Sequence, residues 1–298
     1  MSSVLITGAS SGIGCATAVA LATRGWRVVA TMRNLEKSGP LERSLEAAGV
    51  RSQVEIERLD VTDPSSIQAA VTATLTRTGN KLDAVVHNAG VAVGGAFEDL
   101  PQSEIRRVME TNFFGVLELT RVLLPTFRAQ RHGRIVIVSS EAAFFGQPAN
   151  SMYCASKWAI EGWAESVAYE LEPFGIDVIL MEPGPYRTSI WHSSPRIKPP
   201  DSAYFAWIGQ AFQAGDWHGA RMARDPKEVG VAIARVLGAR RPGFRYPVGP
   251  FAHLNHFLRG KMPIRRMQRG VQRYLGLPRF SKWRRAAPDE SARMRTRA

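Results

Sequence analysis

The chain has 298 residues, 45% of them hydrophobic, enough apolar material for one large core and too much for a largely disordered protein. No apolar run reaches the roughly 18 residues that a membrane-spanning helix needs. The net charge of +13 is unevenly placed: 17 Lys and Arg stand between Arg235 and Ala298 against only Asp289 and Glu290, which leaves 22 basic and 24 acidic residues elsewhere, so the basicity belongs to the C-terminal tail. The start, Ser2-Ser3-Val4-Leu5-Ile6, has no charged leader or cleavage-site pattern, and no secretory signal is expected. The two cysteines, Cys15 and Cys154, argue against a disulfide framework and for a reducing compartment, the cytoplasm. Both fall in predicted helices and read as small buried hydrophobes. No metal-ligand spacing of Cys and His is present, so no metal is expected.

Apolar, β-rich runs alternate with helical spacing along most of the chain. Strands are predicted at Val4–Thr7, Arg27–Thr31, Val54–Leu59, Ala84–His87, Ile135–Ser139 and Val178–Met181, and helices at Ile13–Thr23, Leu41–Ala48, Ser65–Thr78, Glu104–Leu124 and Ala155–Leu171. Runs this apolar suit strands covered on both faces. Strand-helix repetition with right-handed crossovers implies an α/β fold with a doubly wound parallel sheet. A helix near Pro226–Leu237 and a strand at Phe244–Val248 close a catalytic domain over residues 1–250. Residues 188–225 break the rhythm with aromatic residues among prolines and glycines. Residues 251–298 form a basic amphipathic extension that is expected to be helical, with Ser291–Ala298 frayed.

Between the first strand and first helix lies Thr7-Gly8-Ala9-Ser10-Ser11-Gly12-Ile13-Gly14. Glycines there permit a tight turn and close approach of a pyrophosphate, whose charge is favoured at a helix N-terminus. At the end of the second strand, where an Asp or Glu would bind a ribose 2′-hydroxyl, stands Met32 followed by Arg33. No carboxylate repels a 2′-phosphate and a guanidinium is at hand, so NADP is expected in preference to NAD. Tyr153 and Lys157, four apart on a predicted helix, share one face.

T-G-x-x-x-G-I-G, Asp60-Val61, Asn88-Ala89-Gly90, Asn112, Ser140, Tyr153-Cys154-Ala155-Ser156-Lys157, Pro183-Gly184 and Thr188, in that order, resemble the short-chain dehydrogenase/reductase family over about residues 2–250. The resemblance implies about seven parallel strands in the order 3-2-1-4-5-6-7 and an oxidoreductase that interconverts a carbonyl and an alcohol. It implies a cofactor site made by Gly8, Ser10, Ser11, Gly12, Ile13, Gly14, Asp60, Val61, Asn88, Ala89, Gly90, Tyr153, Lys157, Pro183, Gly184 and Thr188, with Arg33 added by the charge argument. The catalytic group it implies is Asn112, Ser140, Tyr153 and Lys157. Tyr153 exchanges a proton with the substrate oxygen, Ser140 orients that oxygen, and Asn112 positions a water that relays protons to Lys157. The Lys157 ammonium is expected to depress the phenol pKa. One departure is His87, where many members have asparagine.

The segment 188–225 should cover the crevice, and its aromatics, with Phe144, Phe145, Gln147 and Val91–Phe97, suggest a bulky apolar substrate: a steroid, a retinoid or terpenoid, or a long-chain acyl ketone. Core packing of the same aromatics is the plain alternative. Other readings are a 3-oxoacyl-thioester reductase whose basic surface receives an acidic carrier, and a cofactor-sensing protein with little turnover. The basic tail reads as a lid, as a peripheral membrane contact or as a partner-docking surface, and no nucleic acid is expected because no nucleic-acid motif accompanies the charge. A homo-oligomer is expected by resemblance, with Phe113, Val116, Leu117, Trp158 and Trp163 as apolar surface.

Overall fold

The computed structural model describes residues 1–191, 193–258, 261–274 and 277. Seven parallel strands form one sheet in the order β3-β2-β1-β4-β5-β6-β7. They are β1 (Ser3–Ile6), β2 (Arg27–Met32), β3 (Val54–Arg58), β4 (Ala84–His87), β5 (Gly133–Val138), β6 (Ile176–Pro183) and β7 (Arg245–Val248). The central strands are buried at nearly every residue, Val4, Leu5, Ile6, Ala84, Val85 and Val86 completely. That explains their unbroken apolar sequence, since helices cover both faces. Fully burying one such Leu or Ile contributes about 1.5–3 kcal/mol.

On one face lie α1 (Gly12–Ala22), α2 (Gly39–Ala47) and α8 (Lys227–Leu237), packed with Val4, Ile6, Val28 and Ile179. On the other lie α3 (Pro64–Arg77), α5 (Gly115–Gln130) and α6 (Ser151–Leu171), packed with Leu5, Val85, Ile135 and Leu180. Gly230 lets α8 approach α1 closely: a Cβ there would fall 2.6 Å from the Ala16 carbonyl carbon. The far end of α8 is held by Arg134 of β5, whose guanidinium donates to the Leu237 and Ala239 carbonyls at 2.5 and 2.6 Å, a cation satisfying open carbonyls at a helix C-terminus.

Two elements and one residue differ from the sequence expectation. The helix predicted over Glu104–Leu124 is α4 (Gln102–Met109), a π-helical turn (Glu110–Phe114) and α5, which continues through Pro125 to Gln130. The segment 188–225, read as a break in rhythm, contains an 18-residue helix, α7 (Phe205–Met222). Its glycines and scattered aromatics hid the helical period. Val116, offered as surface, is buried in the core, whereas Phe114 and Trp158 are exposed. The extension supplies α9 (Pro250–Leu258) and α10 (Ile264–Tyr274). Among the described residues, no helix is long and apolar enough to cross a membrane. Ser291–Ala298, expected to fray, lie outside the described residues.

Candidate active site

The glycine turn sits at the carboxyl end of β1, where a doubly wound sheet opens its crevice. Gly8 and Gly12 have φ of +66° and +58°, values that favour glycine. A Cβ on Gly14 would fall 2.4 Å from the Gly8 carbonyl oxygen, and one on Gly8 would fall 2.8 Å from the Ala89 Cα. Ser11 is the N-cap of α1 but makes no side-chain capping bond, and the first turn carries no acidic residue. The open backbone N–H groups of Gly12, Ile13 and Gly14 therefore suit an anion such as a pyrophosphate. Ser10 lies beside them in the same turn, partly exposed.

Asn88 holds the turn. Its Nδ2 donates to the Thr7 and Gly8 carbonyls at 3.0 and 2.9 Å, while the backbone N–H groups of Asn88 and Ala89 both donate to Thr7 Oγ1 at 3.0 Å. Thr7 is thus a site residue absent from the candidate set, although the T-G dipeptide already signalled it. Gly90 lies against the Asn112 carboxamide. On the opposite wall Thr188 packs on Gly12, its Cγ2 3.2 Å from a Cβ built there, and the Ser11 and Ser189 hydroxyls meet at 3.2 Å. Gly184 donates from its backbone to Val248 at 3.0 Å, just beyond buried Pro183.

At the adenosine end Met32 is buried and Arg33 is exposed. Arg58, which the candidate set omitted, is level with Met32 in the β2–β3 register and is also exposed. The nearby Glu36 carboxylate accepts from Asn34 Nδ2 at 3.4 Å. Asp60 turns its carboxylate to its own loop, accepting from Thr62 N and Oγ1 at 3.0 and 2.8 Å. Val61 packs against Gly115.

Ser140, at the end of β5, begins a short 3-10 turn over Glu141–Ala143, and its Oγ accepts from Ala142 N at 3.1 Å. The same hydroxyl draws the Tyr153 phenol pKa down against the effect of burial. Lys157 lies one turn further along α6 and its Nζ donates to the Val138 carbonyl at 2.8 Å, 5.7 Å from the Tyr153 ring centre. Burial pushes the ammonium pKa down to about 8, against the pull of Glu161. Burial likewise pushes the phenol up to about 12; Ser140 opposes this, while Cys154 and Glu141 reinforce it. In this site desolvation is the largest influence on the phenol, and the Lys157 ammonium is bonded to a backbone carbonyl.

Asn112 lies in the π-helical turn with its carboxamide fully engaged. Its Nδ2 donates to the Val91 carbonyl at 2.9 Å and to Ser156 Oγ at 3.0 Å, and its Oδ1 accepts from Val91 N at 2.8 Å. The side chain thus braces the loop after β4 against α6. Trp191 stacks edge-on against Tyr153 with ring centres 5.2 Å apart, and Phe212 of α7 touches Gly94. The chain after β6 pairs with the loop after β4, Gly94 N donating to Pro195 O at 2.9 Å and Ile197 N to Gly94 O at 2.8 Å. Phe144 is buried and packs on His256 of α9 instead of facing the crevice. Trp217 belongs to α7, and its side chain is not among those described.

Residues 2–198 match the family model described as short chain dehydrogenase. The chain belongs to the short chain dehydrogenase family. It is 39% identical to the uncharacterized oxidoreductase YusZ of Bacillus subtilis over 87% of this chain and 93% of that protein. It is 36% identical to retinol dehydrogenase 8 of Bos taurus over 81% of this chain and 80% of that one. A short-chain dehydrogenase structure from Streptomyces avermitilis superposes with a TM-score of 0.73 at 30% identity, covering 96% of both chains. Solved family members carry either cofactor. A metagenomic oxidoreductase is in complex with NADP (27% identity, TM-score 0.65, 82% of this chain and 95% of that one). One from Burkholderia phymatum is in complex with NAD (26%, 0.70, 82% and 87%).

This short chain dehydrogenase departs from the family pattern at His87, and its structure absorbs the change. The ring is buried, Nε2 lies 2.9 Å from Thr120 Oγ1, and burial pushes its pKa down to about 3. Glu141, directly after Ser140, is the acidic residue that sequence reasoning missed. Its carboxyl accepts from Asn255 Nδ2 of α9 at 3.0 Å, and burial raises its pKa to about 7. A lone acid beside a motif gives no sequence signal until α9 is known to cover it.

Proposed function

We propose that this chain is an NADP(H)-dependent oxidoreductase that interconverts a carbonyl and an alcohol on a bulky apolar substrate. The observation that carries this reading is the buried Tyr153 ring with Lys157 Nζ 5.7 Å from its centre and Trp191 edge-on against it at 5.2 Å, a proton donor set against an aromatic wall. The glycine cradle and the open N-terminus of α1 fit a dinucleotide pyrophosphate, and the dinucleotide, when bound, supplies or accepts the hydride. Arg33, with no acidic residue at Met32, favours the cofactor bearing a 2′-phosphate. Arg58 adds a second guanidinium at that end of the sheet.

Tyr153 is protonated at neutral pH and donates its proton to the carbonyl oxygen in reduction; in oxidation it takes the proton back. Ser140 donates a hydrogen bond to the same oxygen. Lys157 holds the nicotinamide ribose and keeps a positive charge beneath the developing alkoxide. Asn112 fixes the loop after β4 and the π-helical turn, and so the site at which a relay water is held. Pro183, Gly184 and Thr188 enclose the nicotinamide end, and Asp60 and Val61 the adenine end. Residues 188–225 cover the substrate, in line with the likeness to a retinol dehydrogenase, and 1–250 form the catalytic domain.

The two unpaired, buried cysteines support a cytoplasmic setting. The basic α10 and the exposed Leu254, Phe257 and Ile264 support peripheral contact with an anionic membrane, and exposed Phe114 and Trp158 support a homo-oligomer. The test is an NADPH-oxidation screen over steroid, retinoid, long-chain and sugar carbonyls, repeated with NADH. Turnover is expected with apolar carbonyls and NADPH. A preference for sugars would remove the apolar pocket, and a preference for NADH would remove the role of Arg33.

A further inference from the structure

The extension is built into the wall of the catalytic crevice. α9 follows β7 through Gly249, whose φ of +94° turns the chain back across the strand ends. Ala252 is completely buried, with its backbone nitrogen near Gly184. The next turn places Asn255 and His256 against the turn that carries Ser140: Asn255 Nδ2 reaches Glu141 at 3.0 Å, and the His256 ring stacks edge-on against Phe144, ring centres 5.4 Å apart. Glu141 also lies over Gly184, its Oε2 3.7 Å from a Cβ built there. One carboxyl therefore touches the catalytic turn, the end of β6 and the extension.

We propose that Glu141 is a positioning residue that couples the C-terminal extension to catalysis, its hydrogen bond from Asn255 of α9 fixing the turn that carries Ser140. This rests on Tyr153 being the acid-base group. The titratable group on which the Glu141 charge acts is Tyr153; on α9, His256 packs on Phe144 of the same turn and lies 3.6 Å from Glu182 of β6, and Arg245 of β7 bonds Glu182 and Glu161 of α6 at 2.6 Å. Arg245 balances Glu161 and Glu182, whereas the contact that steadies an ionised Glu141 is the Asn255 amide. Burial raises the Glu141 carboxyl pKa to about 7 against the pull of the Asn255 bond, so its charge changes in the neutral range. When ionised it raises the phenol pKa, which favours the protonated acid needed for reduction and disfavours the tyrosinate needed for oxidation.

The test compares pH profiles of NADPH-driven ketone reduction and of the reverse alcohol oxidation for wild type, Glu141→Gln, Asn255→Ala and Tyr153→Phe. Glu141→Gln keeps an acceptor for Asn255, so its loss of kcat is smaller than that of Asn255→Ala. Its inflection near neutrality disappears, and the tyrosine inflection in oxidation moves to lower pH. Asn255→Ala lowers kcat about tenfold through loss of a charge-assisted bond, leaves the KM for NADPH unchanged, and moves the Glu141 inflection to higher pH. Profiles of Glu141→Gln and Asn255→Ala that superpose on wild type, with Tyr153→Phe inactive, would overturn the coupling and leave the acid-base reading standing. An active Tyr153→Phe would instead overturn that earlier reading.

Discussion

Arg33 and His87 stand at the same end of the sheet, one exposed and one buried. If Arg33 pairs a 2′-phosphate, Arg33→Glu removes charge-assisted bonds of about 1.5–3 kcal/mol, and the KM for NADPH rises at least tenfold while that for NADH changes little. Steady-state kinetics with both cofactors check this. His87 is neutral in the folded chain, with a pKa near 3 against 6.5 for the ordinary group. Between those values the unfolded chain binds the extra proton, so this contribution to stability is present above pH 6.5 and is lost as pH falls toward 3. The slope approaches about 1.4 kcal/mol per pH unit. Urea unfolding from pH 7 to 5 should show that slope as the difference between wild type and His87→Asn. Parallel pH dependences would mean the ring is not desolvated.

The glycines set how closely elements approach. A methyl on Gly14 meets the Gly8 carbonyl and one on Gly230 meets Ala16, so each Ala substitution should cost about 1–3 kcal/mol by overpacking. Gly14→Ala should also abolish NADPH binding, because the turn must open, whereas Gly230→Ala should leave binding intact in the folded fraction. Thermal melts with cofactor titration separate the two. The strands were legible because a two-sided parallel sheet demands continuous apolar runs, and Tyr153, Lys157, Ser140 and the glycine turn were legible as an ordered set. α7 was not: Gly209, Gly215 and Gly219 weaken helix propensity, and the helix is held by packing of residues such as Ile208, which is fully buried. The role of Glu141 was invisible for a related reason, since its partner Asn255 lies 114 residues away.

The whole molecule joins a nearly neutral catalytic body to a basic tail. Arg265, Arg266, Arg269 and Arg273 on α10 should each contribute about 1 kcal/mol of attraction to an anionic bilayer. Flotation with anionic vesicles should therefore recover the wild-type chain at low salt and lose it on replacing these four by Glu; equal recovery would assign the tail to lid and wall alone. The central claim is that Tyr153 donates the proton that accompanies hydride transfer. Single-turnover oxidation of bound NADPH by an apolar ketone tests it most directly, in wild type and Tyr153→Phe. The rate should fall about 10²–10⁴-fold while NADPH binding is retained; a Tyr153→Phe chain that turns over at the wild-type rate would contradict it.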